Sequence, residues 1–371
     1  MANVVTGIEL RRVSLPLVTP FRTAHGEDRE RDVLLVRVAT DDSQGWGECA
    51  APARPDYTSE YVDGAQDVLR RHLIPRLLAE ATARAEDMAG VLGSVQGHPM
   101  AKAALEMALL DAQLRGGDQS LASYLGATRT TVEAGVAVGI LGSIPELIEA
   151  VDGYVSQGYR RVKLKIGPGW DVEPVREVRR HFGAGLMLLV DANRSYLPGD
   201  AEHLATLDEF DLALIEQPLA ADALLAHAEL ARRLRTPICL DESITSAAVA
   251  ADAIELGATE VVNVKAPRVG GLLEARRVHD VCHTARVPVW CGGMLDTGIG
   301  RAANVALAAL PNFTIPGDLS ASDRYFATDL TEPFELMDGR LDVPTGPGLG
   351  VTVQLDVLER HTTFVERFAP G

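Results

Sequence analysis

Apolar and polar positions change their period twice along the chain. Near the N-terminus, Ile8-Glu9-Leu10-Arg11-Arg12-Val13 and the run Val33-Leu34-Leu35-Val36 predict strands, separated by a Pro-rich bend. Gly45-Trp46-Gly47-Glu48 predicts a hairpin return. From Ser59 to Arg115 the pattern turns helical, with residues 100–110 the clearest amphipathic stretch. Three strands followed by helices predict an α+β domain. From Glu133 onward short apolar runs alternate with helical segments, the mark of βαβ units and a parallel sheet. Strands are predicted at 134–138, 161–165, 187–191, 213–216, 238–241, 261–265, 289–291 and 313–315. Eight parallel strands close a barrel. Asp171 and Ser246 are placed to cap the helices that follow them.

The strand ends carry the chemistry. Apolar runs terminate in Lys165, Asp191, Glu216, Asp241 and Lys265. From Lys165 to Asp191 is 26 residues, then 25 to Glu216, 25 to Asp241 and 24 to Lys265. A strand, a helix and two loops use up that length, so the five residues occupy one level of successive strands. In a parallel barrel the C-terminal strand ends form the active-site face.

Three carboxylates at one rim repel one another unless a cation neutralises them. Asp191, Glu216 and Asp241 therefore read as ligands of a hard divalent ion such as Mg²⁺, with Mn²⁺ or another divalent cation able to substitute. Any one of these acids alone could cap a helix; three at matched levels point to the metal. Lys165 and Lys265 flank the acids from the second and sixth strands, on roughly opposite sides of the ion. Two bases facing opposite sides of one carbon suit removal and return of a proton next to a carboxylate, through an enediolate stabilised by the cation. Lys163 lies two residues before Lys165 and points the same way, so it is expected to tune that lysine or to bind a substrate carboxylate. Asn193 is placed to orient a ligand, and Glu242 to hold a lysine. The Gly270-Gly271 and Gly292-Gly293 pairs suit close substrate approach or simple turns.

Composition narrows the class. At 371 residues the chain accommodates a barrel of about 250 residues with a smaller companion domain. The net charge of −17 argues against nucleic acid and anionic lipid as partners. No apolar run is long enough to span a bilayer, and the first residues lack the pattern of a secretory signal. Cys49, Cys239, Cys282 and Cys291 show no metal-ligand spacing, so a reducing, cytoplasmic setting is expected.

Lys163-Leu164-Lys165, Asp191-Ala192-Asn193, Glu216-Gln217-Pro218, Asp241-Glu242-Ser243 and Lys265 followed by Val269-Gly270-Gly271 resemble the muconate-lactonising subgroup of the enolase superfamily. Residues 16–23, 45–49, 59–61, 97–102, 290–294 and 344–350 extend the likeness to the branch of o-succinylbenzoate synthases and N-succinylamino acid (N-acylamino acid) racemases. The resemblance implies a (β/α)₈-type barrel over 126–320. An α+β capping domain over 1–125 would be completed by a returning segment, 321–371. It implies Asp191, Glu216 and Asp241 as Mg²⁺ ligands and Lys165 and Lys265 as the acid/base pair. In the synthase reaction Lys165 would take the proton and assist departure of the hydroxyl, while Lys265 would stabilise the enolate as a cation; in the racemase reaction both would exchange protons. Phe21 would wall the substrate pocket, with Arg268, Gly292, Gly293, Met294 and Leu295 also binding substrate. The expected partner is a small-molecule carboxylate, and a homo-oligomer is expected.

Three departures bear on substrate. Ala266-Pro267-Arg268 stands where the branch usually shows Pro-Gly-Arg, Asp296 where a Glu is usual, and the loop Ala50-Ala51-Pro52-Ala53-Arg54-Pro55 is stiff and basic. Arg54 suits either a second substrate carboxylate or the surface, the latter slightly favoured. Competing readings keep the machinery and change the substrate, giving a dipeptide epimerase or a muconate-type cycloisomerase, or drop catalysis for a metal-binding scaffold. Pro316-Gly317-Asp318-Leu319-Ser320 holds one acid where the epimerases usually have an Asp-x-Asp pair. A scaffold would need neither lysine.

Overall fold

In the computed structural model, which describes residues 4–23 and 26–371 without the side chains of 21–23, 26 and 27, the first two strands form one long hairpin. β1 (Val5–Thr23) pairs antiparallel with β2 (Gly26–Thr40), and β3 (Gln44–Cys49) adds to the other edge of β2. The predicted Pro-rich bend does not end β1. The ladder runs to Pro16, shifts register and resumes at Phe21, because a proline removes only one ladder donor.

The helix Pro99–Gly116 lies against β3. It was expected to be amphipathic, yet it is buried on nearly every side, including Glu106 and Asp111. Two glycines make that packing possible. A Cβ on Gly45 would lie 2.1 Å from the Ala112 nitrogen, and one on Gly47 would lie 2.0 Å from the Ala104 carbonyl oxygen. The helix is thus wedged between the sheet and the barrel, which is why its pattern lacks a wet face. Glu60 accepts from the Met100 and Ala101 amides and so satisfies its first turn.

After β4 (Thr131–Glu133), seven parallel strands follow: β5 (Gly135–Val138), β6 (Arg161–Lys165), β7 (Met187–Asp191), β8 (Ile215–Glu216), β9 (Ile238–Leu240), β10 (Val261–Val264) and β11 (Val289–Cys291). They are hydrogen-bonded in chain order, as single βα steps require. Asp171 and Ser246 cap their helices as expected. The eighth expected strand is not a strand. Phe313 makes one bridge to Val289 and Gly317 one to Ala134, so the ring closes through an irregular segment. Pro316 has no amide hydrogen, and its carbonyl is taken by the Arg161 guanidinium at 2.7 and 2.9 Å rather than by a ladder.

The end of the chain returns to both layers. β12 (Arg340–Asp342) pairs with β4, and β13 (Thr362–Phe368) pairs with β1. Buried acids stitch the N-terminal layer to the barrel. Glu48 accepts from Thr297 and Gly300 at the start of the helix Gly298–Ala308, and Glu106 accepts from Leu273 at the start of the helix Leu272–Thr284. Among the described residues, no helix is long and apolar enough to cross a membrane.

Candidate active site

Strand register places the five charges. Lys165 is the partner of Asp191, and Asp191 that of Glu216; Asp241 and Lys265 directly follow β9 and β10. All three acids are buried, and cations bracket them. On one flank Lys165 Nζ lies 2.6 Å from Asp191 Oδ2. On the other, Lys265 Nζ lies 2.7 Å from Asp241 Oδ2. Lys163 sits deeper, 2.8 Å from Glu216, 3.3 Å from Asp191 and 2.6 Å from Asp318, with its ammonium over the Trp290 ring.

Burial and neighbouring charge set the protonation of this cluster. Burial, aided by Asp191 and Asp241, pushes Glu216 up to about 8. Burial acts the same way on Asp191, but Lys165 and Lys163 outweigh it and hold that carboxyl well below its usual range. Arg268 and Lys265 overcome burial in the same sense at Asp241. For Lys163, burial favours the neutral amine, yet Asp318, Glu216 and Asp191 keep the ammonium well above its ordinary value. Its charge therefore faces three acids, rather than Lys165 as the sequence pattern suggested.

The donor set fits a divalent cation. Three buried carboxylates on adjacent strands are hard oxygen donors, and Asp241 Oδ1 is buried without a hydrogen-bond partner. Among the described residues, no three His, Cys, Asp or Glu side chains are already gathered as a metal cage; ammonium groups contact the three acids instead.

A cavity of about 500 Å³ opens above the cluster. All three lysines line it, with Asn193, and its walls include Ile140, Ile166, Trp170, Met294, Leu295 and Tyr325. Asn193 receives a hydrogen bond from Lys165 at 2.5 Å and donates to Glu242 at 3.2 Å. Glu242 thus holds the asparagine that receives the Lys165 amine, reaching that lysine only through Asn193, and it faces Arg194 at 3.5 Å. Asn193 and Arg194 both adopt left-handed backbone (φ 42° and 69°), a costly conformation for residues other than glycine and one that clusters at functional sites.

Of the residues expected to bind substrate, Gly293, Met294 and Leu295 line the cavity, and the Phe21 side chain lies outside the described residues. Arg268 and Gly292 do not line it. Arg268 is buried against Asp241 and Tyr57, where its positive charge is matched. Gly292 lies beneath Lys265, where a Cβ would sit 2.5 Å from the lysine Cε. Asp296 turns away to accept from the Met294 amide and from Asn304, fixing the loop that carries Met294.

Other contributors escaped the sequence reading. Tyr57 donates to Asp241 at 3.2 Å and receives from Lys265 at 2.9 Å. The resemblance implies that the loop 50–57 shapes the pocket, but nothing local in the sequence marks the Tyr57 side chain itself, which comes from the N-terminal layer. Asn263 donates to Glu216 at 2.6 Å, and its spacing of two from Lys265 is the signal that could have found it, as for Lys163 and Lys165. Gln217 accepts from the Asp241 and Ser243 amides and so ties the ends of β8 and β9 together.

Residues 6–126 match the mandelate racemase / muconate lactonizing enzyme N-terminal domain, and residues 146–357 match the enolase C-terminal domain-like family. The chain is 59% identical to an N-succinylamino acid racemase of Amycolatopsis sp, over 97% of this chain and 98% of that one. It is 43% identical to an o-succinylbenzoate synthase of Geobacillus stearothermophilus, over 99% and 98%. A solved structure from Listeria innocua, a member of the enolase superfamily, superposes with a TM-score of 0.96 at 39% identity, covering both chains completely.

Proposed function

Because the chain belongs to the mandelate racemase / muconate lactonizing enzyme family of the enolase superfamily, we propose that it racemises N-succinylamino acids and forms o-succinylbenzoate at one site. The shared step is loss of the proton next to a carboxylate. The observation that carries this reading is the placement of Lys165 and Lys265 on opposite flanks of three buried acids, both lining one cavity.

Enzymes of this family use a divalent metal, and here Mg²⁺ would be held by Asp191, Glu216 and Asp241. When bound, such an ion supplies Lewis acidity that favours negative charge on the substrate carboxylate. The remaining work falls to the protein's own side chains. In racemisation one lysine takes the α-proton and the other delivers a proton to the opposite face, each contributing on the order of 10²–10⁴-fold. Asn193 fixes the Lys165 amine, and Tyr57 fixes that of Lys265. In the dehydration Lys165 removes the proton and then protonates the departing hydroxyl, while Lys265 stays charged. The apolar walls exclude water from the reacting carbon. Asp318, the acid of the closing segment, is engaged by Lys163 and Arg161, so it offers little to a peptide amine.

Incubation in D₂O with Mg²⁺ tests the proposal. N-succinylamino acids should gain α-deuterium and racemise, and 2-succinyl-6-hydroxy-2,4-cyclohexadiene-1-carboxylate should aromatise. Turnover of neither would refute it.

A further inference from the structure

A substrate with a succinyl arm carries a second carboxylate about 6 Å beyond the reacting carbon. Among the described residues, six cationic side chains line the cavity, and five have fixed duties. Lys163, Lys165 and Lys265 face the acids of the reacting centre. Arg31 is buried, and its Nη1 and Nη2 donate to the carbonyls of Ala51 and Cys49, which fixes its guanidinium away from the mouth. Arg194 holds the Tyr57 carbonyl at 3.2 Å and faces Glu242.

Arg54 is the sixth. It lies three residues before Tyr57, so one short loop runs from the reacting lysine to the cavity mouth. Its side chain is about half exposed and meets two acids, Asp56 through Nε at 3.0 Å and Asp28 through Nη2 at 3.2 Å. These contacts leave Nη1 for a further acceptor. Ion pairs at such exposure are weak, so one acid can be exchanged for another at little cost. Asp28 belongs to β2 and Asp56 to the loop of Arg54, so together they hold the guanidinium at the rim before any ligand arrives.

We propose that Arg54 is a specificity-determining residue that binds the distal carboxylate of the substrate's acyl group at the cavity mouth, with Asp28 and Asp56 holding it ready. This rests on the proposed function, since it presupposes that the α-carboxylate lies at the lysines. Arg54 takes no part in proton transfer; it selects N-acyl groups that end in an anion over neutral ones of similar length.

The test compares N-succinyl-methionine with N-acetyl-methionine, which shares the amide but lacks the second carboxylate. The ratio of their kcat/KM values is measured in wild type, Arg54→Gln, Arg54→Lys and Asp28→Asn. Arg54→Gln should lower the preference for the succinyl compound about tenfold, through KM, as loss of one partly exposed charge-assisted contact predicts. Arg54→Lys should keep part of the preference, and Asp28→Asn, which removes one of the two acids holding the guanidinium at the rim, should lower it by less than Arg54→Gln does. An unchanged ratio in Arg54→Gln, with wild-type turnover intact, would overturn the inference and leave the proposed function standing. Failure of the wild type to turn over either compound would overturn both.

Discussion

Alanine at position 292 tests how finely the Lys265 amine is placed. A Cβ there would lie 2.5 Å from Lys265 Cε, 2.7 Å from Lys265 Cγ and 2.3 Å from Asn263 Oδ1. Carbon atoms pack at about 3.5–4.0 Å, so the lysine stem must retreat by about 1 Å. It has little room to do so unchanged, because Asp241 holds the amine at 2.7 Å and the Tyr57 ring centre lies 5.4 Å from it. Misplacing a reacting group by about 1 Å costs on the order of 10²-fold in rate, or about 2.7 kcal/mol. The substitution touches no side chain of the expected ligand set and, because Gly292 does not need the left-handed region, it acts through steric overlap alone. The assay is kcat for racemisation at saturating substrate and Mg²⁺, with circular dichroism to confirm the fold. A folded Gly292→Ala protein with a kcat close to that of wild type would refute the reasoning.

Two further substitutions probe the support around the site. Asn263→Ala removes the 2.6 Å hydrogen bond to Glu216 and should weaken Mg²⁺ binding about 10–100-fold by calorimetric titration; unchanged affinity would contradict that role. Glu106 ties two layers together, and burial raises its carboxyl from 4.5 to about 7. Folding therefore favours its protonated form, so its stabilising contribution is full below about 4.5 and fades as pH rises through about 7. Glu106→Gln cannot titrate, so the Tm of wild type should fall relative to that variant across the window, and a constant difference would contradict the assignment.

Much of the barrel was legible because its physics is local. Strands 161–165, 187–191 and 289–291 follow directly from apolar runs bounded by turns, and β8 is shorter than its apolar run only because few of its residues enter the ladder. The ring of charges was legible because βα units have nearly constant length. What escaped depends on partners distant in sequence. The burial of the helix Pro99–Gly116 on both faces requires the glycines of β3 and the barrel behind it. The irregular closing segment depends on Arg161 from another strand. Tyr57 enters the site from 184 residues before Asp241, a separation no periodicity reports. Arg268 was expected at the substrate only through the family resemblance, yet the buried Asp241 draws it inward.

Deuterium exchange, followed separately from each enantiomer of one N-succinylamino acid, tests the opposed-lysine arrangement most directly. Wild type should exchange both enantiomers and interconvert them. Lys165→Ala and Lys265→Ala should each lose racemisation while retaining exchange of one enantiomer, the opposite one in each variant. If both variants retain exchange of the same enantiomer, or if either still racemises at the wild-type rate, the two amines do not face opposite sides of the reacting carbon.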